Sequence, residues 1–130
     1  MSVSFAKVRK GATYSRNTLA ELWGYSSFHA IARGVITPRN DNKIILFVTA
    51  EKQASAEQYK DRLSGNVLEW EGPTDHFAED RMADATSLAQ EIHLFHRELH
   101  HTDFTYCGRL RVLSHLRRLS KPSHFRFQLL

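Results

Sequence analysis

The chain has 130 residues, of which 42% are hydrophobic and 25% are charged, a balance typical of one globular domain and not of a disordered chain. No run approaches the roughly 18 consecutive apolar residues of a membrane-spanning helix, the N-terminus lacks an apolar signal core, and a single cysteine, Cys107, excludes an internal disulfide. These features predict a cytoplasmic protein, and no cofactor is expected.

The formal net charge of +4 is concentrated in the last third of the chain. Residues 1–90 contain 11 basic and 11 acidic side chains, whereas residues 91–130 contain 7 basic and 3 acidic ones. A field of this kind favours a polyanion such as nucleic acid, although many basic proteins bind none.

The N-terminal part is predicted to contain an arm followed by two short helices. Residues 1–13 show no stable period and are interpreted as a basic arm or an edge strand. Leu19, Leu22 and Trp23 follow at helical spacing and Gly24 ends that helix. A second helix is expected to start after Ser26 or Ser27 and to end at Gly34.

The two predicted helices, over residues 18–34, allow a DNA-binding alternative. They match the outline of a helix-turn-helix in which residues 27–33 form the recognition helix and present His29 and Arg33 to a groove. Two short helices around a glycine are also a common structural lid, so both interpretations stay open.

The middle of the chain is predicted to alternate between strands and surface segments. The continuous apolar run over residues 44–48 indicates a buried strand. Residues 51–63 favour a surface helix, and residues 67–70 favour a short strand after a turn. Residues 74–90 are predicted to be a loop that leads into a short helix.

The C-terminal part indicates a strand hairpin over residues 91–112 with a wide loop at residues 98–103, one apolar face and one cationic face. Phe125, Phe127 and Leu129 alternate with polar residues and predict a last strand that closes the sheet. The pattern as a whole favours one α+β domain over residues 14–130, built as a curved, mixed and mainly antiparallel β-barrel with short inserted helices.

Two patterns in the sequence resemble enzyme sites, and each also has a simpler interpretation. Glu69 and Glu71 share a strand face and Asp75 follows, which suits a metal-dependent nuclease, but no lysine comes shortly after them. His93 and His96 point to opposite faces of a strand, which disfavours a histidine metal site. A protein-binding accessory domain is a third alternative, and a binding module is preferred to an enzyme.

Aromatic residues at the ends of elements suggest a pocket that stacks an extruded base while cations hold the flanking phosphates. For Trp70, a core position is the competing interpretation. The predicted pocket consists of Tyr25, Trp70 and His76, and the cations nearby are Arg33, Arg39 and Arg81.

Several segments of the sequence resemble a known family. They are WGY (23–25), RGVITP (33–38), IILFVTAEKQ (44–53), Tyr59, LEWEG (68–72), EIHLF (91–95) and DFTYCGRL (103–110). Together they resemble the C-terminal domain of bacterial modification-dependent restriction proteins that fuse a phospholipase-D-type nuclease to a helicase, a module that also accompanies HNH nucleases. The resemblance covers roughly residues 14–129.

That resemblance implies a fold similar to the SET- and RING-associated (SRA) domain, which binds modified cytosine by flipping the base into a barrel pocket. It also implies a double-stranded DNA partner and a possible separate nuclease or helicase, whereas the composition and hydropathy predict no membrane association. The cations predicted to dock the duplex are Arg109, Arg111, Arg117, Arg118, Lys121 and Arg126.

Overall fold

The computed structural model describes residues 3–50, 62–72, 77–85, 88–99, 101–116 and 123–130. Within these ranges eight strands form one sheet. The strands are β1 (Thr13–Tyr14), β2 (Val35–Ile36), β3 (Lys43–Thr49), β4 (Arg62–Ser64), β5 (Val67–Glu71), β6 (Glu91–Arg97), β7 (Phe104–Leu116) and β8 (His124–Leu129). The helices are α1 (Arg16–Leu22), a 3-10 helix (Phe28–Ile31) and α2 (Glu79–Ala83).

The strand order is β2-β3-β6-β7-β8-β5-β4, and β1 pairs with the start of β7. β3 and β6 are parallel, whereas the other pairs are antiparallel. The prediction of a mixed, mainly antiparallel sheet is therefore confirmed. The described pairings end at β2 on one side and at β4 on the other, so the predicted closed barrel is not confirmed.

Both faces of the sheet are covered, which explains the continuous apolar run in β3. Ile44 and Leu46 belong to an α2-side cluster with Met82 of α2, whereas Ile45 and Phe47 belong to an α1-side cluster under α1 and the N-terminal arm. A strand buried on both faces loses the alternation of a half-exposed one. The prediction of one apolar and one cationic face is therefore wrong for β6, where His93 and Phe95 are buried.

A bulge in β7 allows side chains of this strand to pack in both clusters. Leu94 pairs with Gly108 and Phe95 pairs with Tyr106, which leaves Cys107 as an extra residue. Gly108 has φ +103°, a conformation that L residues rarely adopt. One extra residue turns all later side chains to the other face. Tyr106 accordingly packs in the α1-side cluster and Leu110 in the α2-side cluster.

The first predicted helix is confirmed as α1, whereas the helix-turn-helix alternative is wrong. Ser15 caps α1 by accepting from the Thr18 amide, and Trp23 is buried just after it. Leu22, expected on the buried face, is 37% exposed. The second element is the four-residue 3-10 helix, which is too short to lie in a DNA groove as a recognition helix.

The N-terminal arm packs against the sheet. Val3 and Val8 are buried, the Val3 amide donates to Asp41 Oδ2 at 2.6 Å, and the Phe5 ring stacks on His93 with 3.8 Å between centroids. The predicted boundary at residue 14, between an N-terminal arm and the domain, stays a prediction.

The predicted surface helix over residues 51–63 falls mostly outside the described residues. Its last part is wrong, because Leu63 lies in β4. The predicted loop and short helix over residues 74–90 correspond to α2. No helix in the described ranges has the length and apolar character needed to cross a bilayer.

Candidate nucleic-acid interface

Three of the cations predicted to dock DNA lie on one exposed face of β7 and β8. Arg109 and Arg111 are two residues apart in β7, Arg111 pairs with Gln128 across the ladder, and Arg126 lies two residues before Gln128. Side chains at this spacing point the same way from a sheet. We call Arg109, Arg111 and Arg126 the cationic strip; all three residues are exposed.

The contacts within the strip are weak ones. Arg111 Nη2 donates to Gln128 Oε1, and Arg126 Nε lies 3.8 Å from Glu69 Oε1, with about half of each side chain exposed (51% and 43%). Exposed pairs of this kind contribute about 0–1 kcal/mol. The strip is therefore available to an anion, which can displace these partners at little cost.

A cleft of about 510 Å³ lies beside the strip, where β7 continues past the start of β6. The last β6–β7 pair joins Ile92 to Leu110. We call this cavity the β7 cleft; its lining includes Asn42, Ala89, Glu91, Ile92, Arg109 and Arg111. A second cleft of about 430 Å³ runs on along β7 towards His115.

Arg81 braces one wall of the β7 cleft. Its Nε donates to Gln90 Oε1 at 3.0 Å, and its Nη2 donates to Gln90 Oε1 and, at 3.2 Å, to the Asp41 carbonyl. Asn42 Nδ2 donates to the Ala89 carbonyl at 3.3 Å. These bonds tie the segment before β3 to the segment before β6, and the role of Arg81 as a phosphate contact stays a prediction.

Solved structures with the same architecture decide the fold. The SUVH5 SRA domain in complex with hemi-methylated CG DNA superposes with a TM-score of 0.67 and 12% sequence identity, and the match covers 100% of this chain and 94% of that one. The chain has the SRA fold. The SUVH5 SRA complex with fully methylated CG DNA gives 0.64 at 13% identity over 100% and 94% of the two chains.

A restriction enzyme has a similar fold. The DNA modification-dependent restriction endonuclease AspBHI matches with a TM-score of 0.58 and 13% identity, over 100% of this chain and 80% of that one. No protein-family model matches the sequence, and neither does any curated protein. The likeness therefore lies in the backbone, and it confirms the SRA-like architecture implied by the resemblance.

Within this SRA fold, the predicted pocket of Tyr25 and Trp70 does not form. Trp70 is 4% exposed and packs in the α2-side cluster, whereas the half-buried Tyr25 packs against the α1-side cluster. The two clusters lie on opposite faces of the sheet, so these rings cannot hold one base between them. His76 lies outside the described residues, as do Arg117, Arg118 and Lys121.

The remaining predicted contacts lie near the 3-10 helix and β2. Arg33 and Arg39 are exposed, and the Arg33 guanidinium carbon lies 4.5 Å from the centroid of the Phe77 ring. Their roles as phosphate contacts stay predictions.

A buried polar network below the strip was not predicted. His93 Nε2 lies 3.0 Å from Glu91 Oε1, and His93 Nδ1 lies 2.7 Å from the Tyr106 hydroxyl. A neutral imidazole satisfies both partners when Nε2–H donates to the carboxylate and the tyrosine hydroxyl donates to Nδ1. Burial lowers the pKa of His93 against the opposing effect of Glu91, and burial raises the pKa of Tyr106 to about 12.

This network predicts a loss of stability in mild acid. Because the pKa of His93 is lower in the folded protein than in the unfolded chain, the unfolded state binds the proton more readily. The free energy of unfolding should therefore fall as the pH drops below about 6.5, the ordinary histidine value. The pKa of Glu91 is also lowered, chiefly by its hydrogen bond with His93, and its contribution declines only at more acidic pH.

Urea unfolding at pH 7.5 and pH 5.5 tests this dependence. The His93→Gln variant, which keeps polar groups but does not titrate, should lose less stability over that interval than the wild type. Equal losses would show that other groups control the acid response.

The described residues give little support to the metal-dependent nuclease alternative. No three His, Cys, Asp or Glu side chains among them lie close enough to share a metal ion. Glu69 pairs with Arg126, and Asp75 lies outside the described ranges.

Proposed function

We propose that the protein is a binding module that reads double-stranded DNA carrying a modified base, in particular a modified cytosine. The observation that carries the proposal is the SRA fold over the whole chain, because two of the matching structures are SRA domains in complexes with methylated CG DNA. The match to a modification-dependent restriction endonuclease supports a role in restriction. The nuclease or helicase would then be supplied by a separate partner or domain.

In this proposal the cationic strip docks the duplex. Arg109, Arg111 and Arg126 project from two neighbouring strands, so their guanidinium groups can follow a phosphate backbone across the sheet. Each neutralised phosphate releases counterions, and the resulting affinity depends on salt but not on sequence. DNA contacts of Arg117, Arg118 and Lys121 stay predictions, because these residues lie outside the described ranges.

The β7 cleft is the proposed site for the extruded base. It replaces the pocket expected around Trp70, because it opens beside Arg109 and Arg111 and has an apolar floor at Ile92. Asn42 and Glu91 place amide and carboxylate oxygens at its rim, where they can accept hydrogen bonds from an exocyclic amine. Flipping costs a few kcal/mol, which contacts in the cleft must offset.

Base extrusion can be followed with 2-aminopurine, whose fluorescence rises when it loses its stacking neighbour. The fluorophore is placed next to a methylated cytosine in a CG duplex. Binding should raise its emission, whereas the duplex without the methyl group should give a much smaller change. No rise with either duplex would contradict base flipping.

A matched pair of variants tests whether the cleft holds the base. Ala89 is exposed and lines the cleft, whereas Ala6 is exposed on the N-terminal arm. The Ala89→Trp variant fills the cleft and should abolish the fluorescence rise. The Ala6→Trp variant should leave it unchanged, and an equal response of both variants would place the base elsewhere.

A further inference from the structure

We propose that Arg16 and Arg97 form a phosphate-binding site at the end of β6 remote from the cationic strip. Arg97 is the last residue of β6, whereas Arg109 pairs with His93 near the start of that strand. Neither arginine belongs to the interface described above, and the site stands independently of DNA reading.

Both guanidinium groups rest on the same buried ring. The Arg16 guanidinium carbon lies 5.0 Å from the centroid of Phe104 and 4.7 Å from that of Phe47. The Arg97 guanidinium carbon lies 4.3 Å from the Phe104 centroid. Phe104 is 2% exposed. The Phe104 ring therefore supports both positive charges, and the charge of Arg97 is one cause of the lowered pKa of Arg16.

Hydrogen bonds fix each arginine without using all of its donors. Arg16 donates from Nε to the Ile31 carbonyl at 3.1 Å and from Nη2 to the Arg33 carbonyl at 3.4 Å. Arg97 donates from Nε to Thr49 Oγ1 at 2.8 Å and from Nη1 to the Thr102 carbonyl at 3.1 Å. Arg16 Nη1 and Arg97 Nη2 have no partner in the described ranges, which leaves two N–H groups on each nitrogen.

The charges of this pair are not balanced by a carboxylate among the described residues. All four acceptors are neutral oxygens, and no ion pair of Arg16 or Arg97 occurs in the described part of the chain. Burial and the neighbouring Arg97 lower the pKa of Arg16 to about 10, which still leaves it charged at neutral pH. Two half-buried cations with spare donors suit a phosphate, whose oxygens accept charge-assisted hydrogen bonds from arginine forks.

Inorganic phosphate is the probe for this site, and thermal unfolding is the readout. A ligand that binds only the folded state raises the melting temperature, by roughly 4 °C at a concentration ten times the dissociation constant. Phosphate should therefore stabilise the wild type relative to sodium chloride at the same ionic strength. The Arg97→Gln variant should lose that difference even if its own melting temperature is lower.

The Arg9→Gln variant is the control, because it removes an exposed arginine from the N-terminal arm, outside both the strip and this site. It should keep the full response to phosphate. An equal effect of phosphate and chloride on the wild type would overturn the site, as would an unchanged phosphate response in Arg97→Gln.

Binding of a duplex distinguishes the two sources of phosphate. If the site takes a backbone phosphate of DNA, Arg97→Gln should lower the slope of log affinity against log salt by about 0.9. If it takes a free phosphate, the slope should be unchanged while the melting response is still lost. Failure of DNA binding altogether would refute the proposed function but not this site, since the melting measurement contains no DNA.

Discussion

Replacing Arg109 and Arg111 by glutamine will weaken duplex binding and flatten its dependence on salt. If each arginine neutralises one phosphate, the slope of log affinity against log salt should fall in magnitude by about 1.8. Adding Arg126→Gln should lower it by about 0.9 more. At low salt the affinity of the triple variant should be on the order of tenfold or more below that of the wild type. Fluorescence anisotropy between 50 and 200 mM salt measures both quantities.

The control for this result removes the same number of charges from another exposed surface. Lys7 and Arg9 are exposed on the N-terminal arm, and the double variant Lys7→Gln with Arg9→Gln changes the net charge equally. It should leave the slope close to the wild-type value. Equal losses from both pairs would mean that net charge alone attracts DNA and that the strip is no specific interface.

The Trp70→Ala variant is expected to act on folding and not on recognition. Trp70 packs with its ring centroid 6.0 Å from those of Phe125 and Phe127, and its ring lies against Gly72, where an added Cβ would be 3.3 Å from Cζ3. Removing so large a buried ring costs about 3–5 kcal/mol. Urea unfolding should show this loss, whereas Trp70→Phe should retain much of the stability.

DNA binding by the folded fraction of the Trp70→Ala variant tests whether Trp70 also takes part in recognition. Once affinities are corrected for the unfolded fraction, the preference for methylated over plain DNA should equal that of the wild type. If the variant were stable and lost only this preference, Trp70 would be part of the base pocket after all.

Local patterns predicted the strands and turns well. These patterns depend only on residues that are neighbours along the chain. The apolar run predicted β3, and the alternation around Leu110 and Phe127 predicted the hairpin of β6 and β7 and the last strand β8. β2 was not predicted, because its two residues are followed by a proline-containing segment, which is typical of a loop. β4 was missed because its residues follow a stretch rich in helix-forming side chains.

The candidate site depended on long-range contacts that sequence spacing does not report. Nothing in the spacing of Tyr25 and Trp70 indicates that they lie on opposite faces of the sheet. The bulge at Cys107 and Gly108 changes which side β7 presents, and only the glycine gave a signal for it. Similarly, the sequence around Arg16 indicates only an exposed cation. Its contact with the Phe104 ring depends on the tertiary fold.

His93 shows how a polar residue in a buried strand can be misread. It sits between Ile92 and Leu94, and in a half-exposed strand this alternation would point it to solvent. Coverage of the second face by the N-terminal arm buries it instead, and Tyr106 and Glu91 satisfy its ring nitrogens. A histidine inside an otherwise apolar run was the available signal.

Competition between a methylated CG duplex and the same duplex without methyl groups tests the central claim most directly. A site shaped for a modified cytosine should bind the methylated duplex about tenfold or more tightly at fixed salt, because one methyl group in an apolar pocket is worth roughly 1–3 kcal/mol. Equal affinities, at a salt concentration where both duplexes bind, would contradict the account of this protein as a reader of modified DNA.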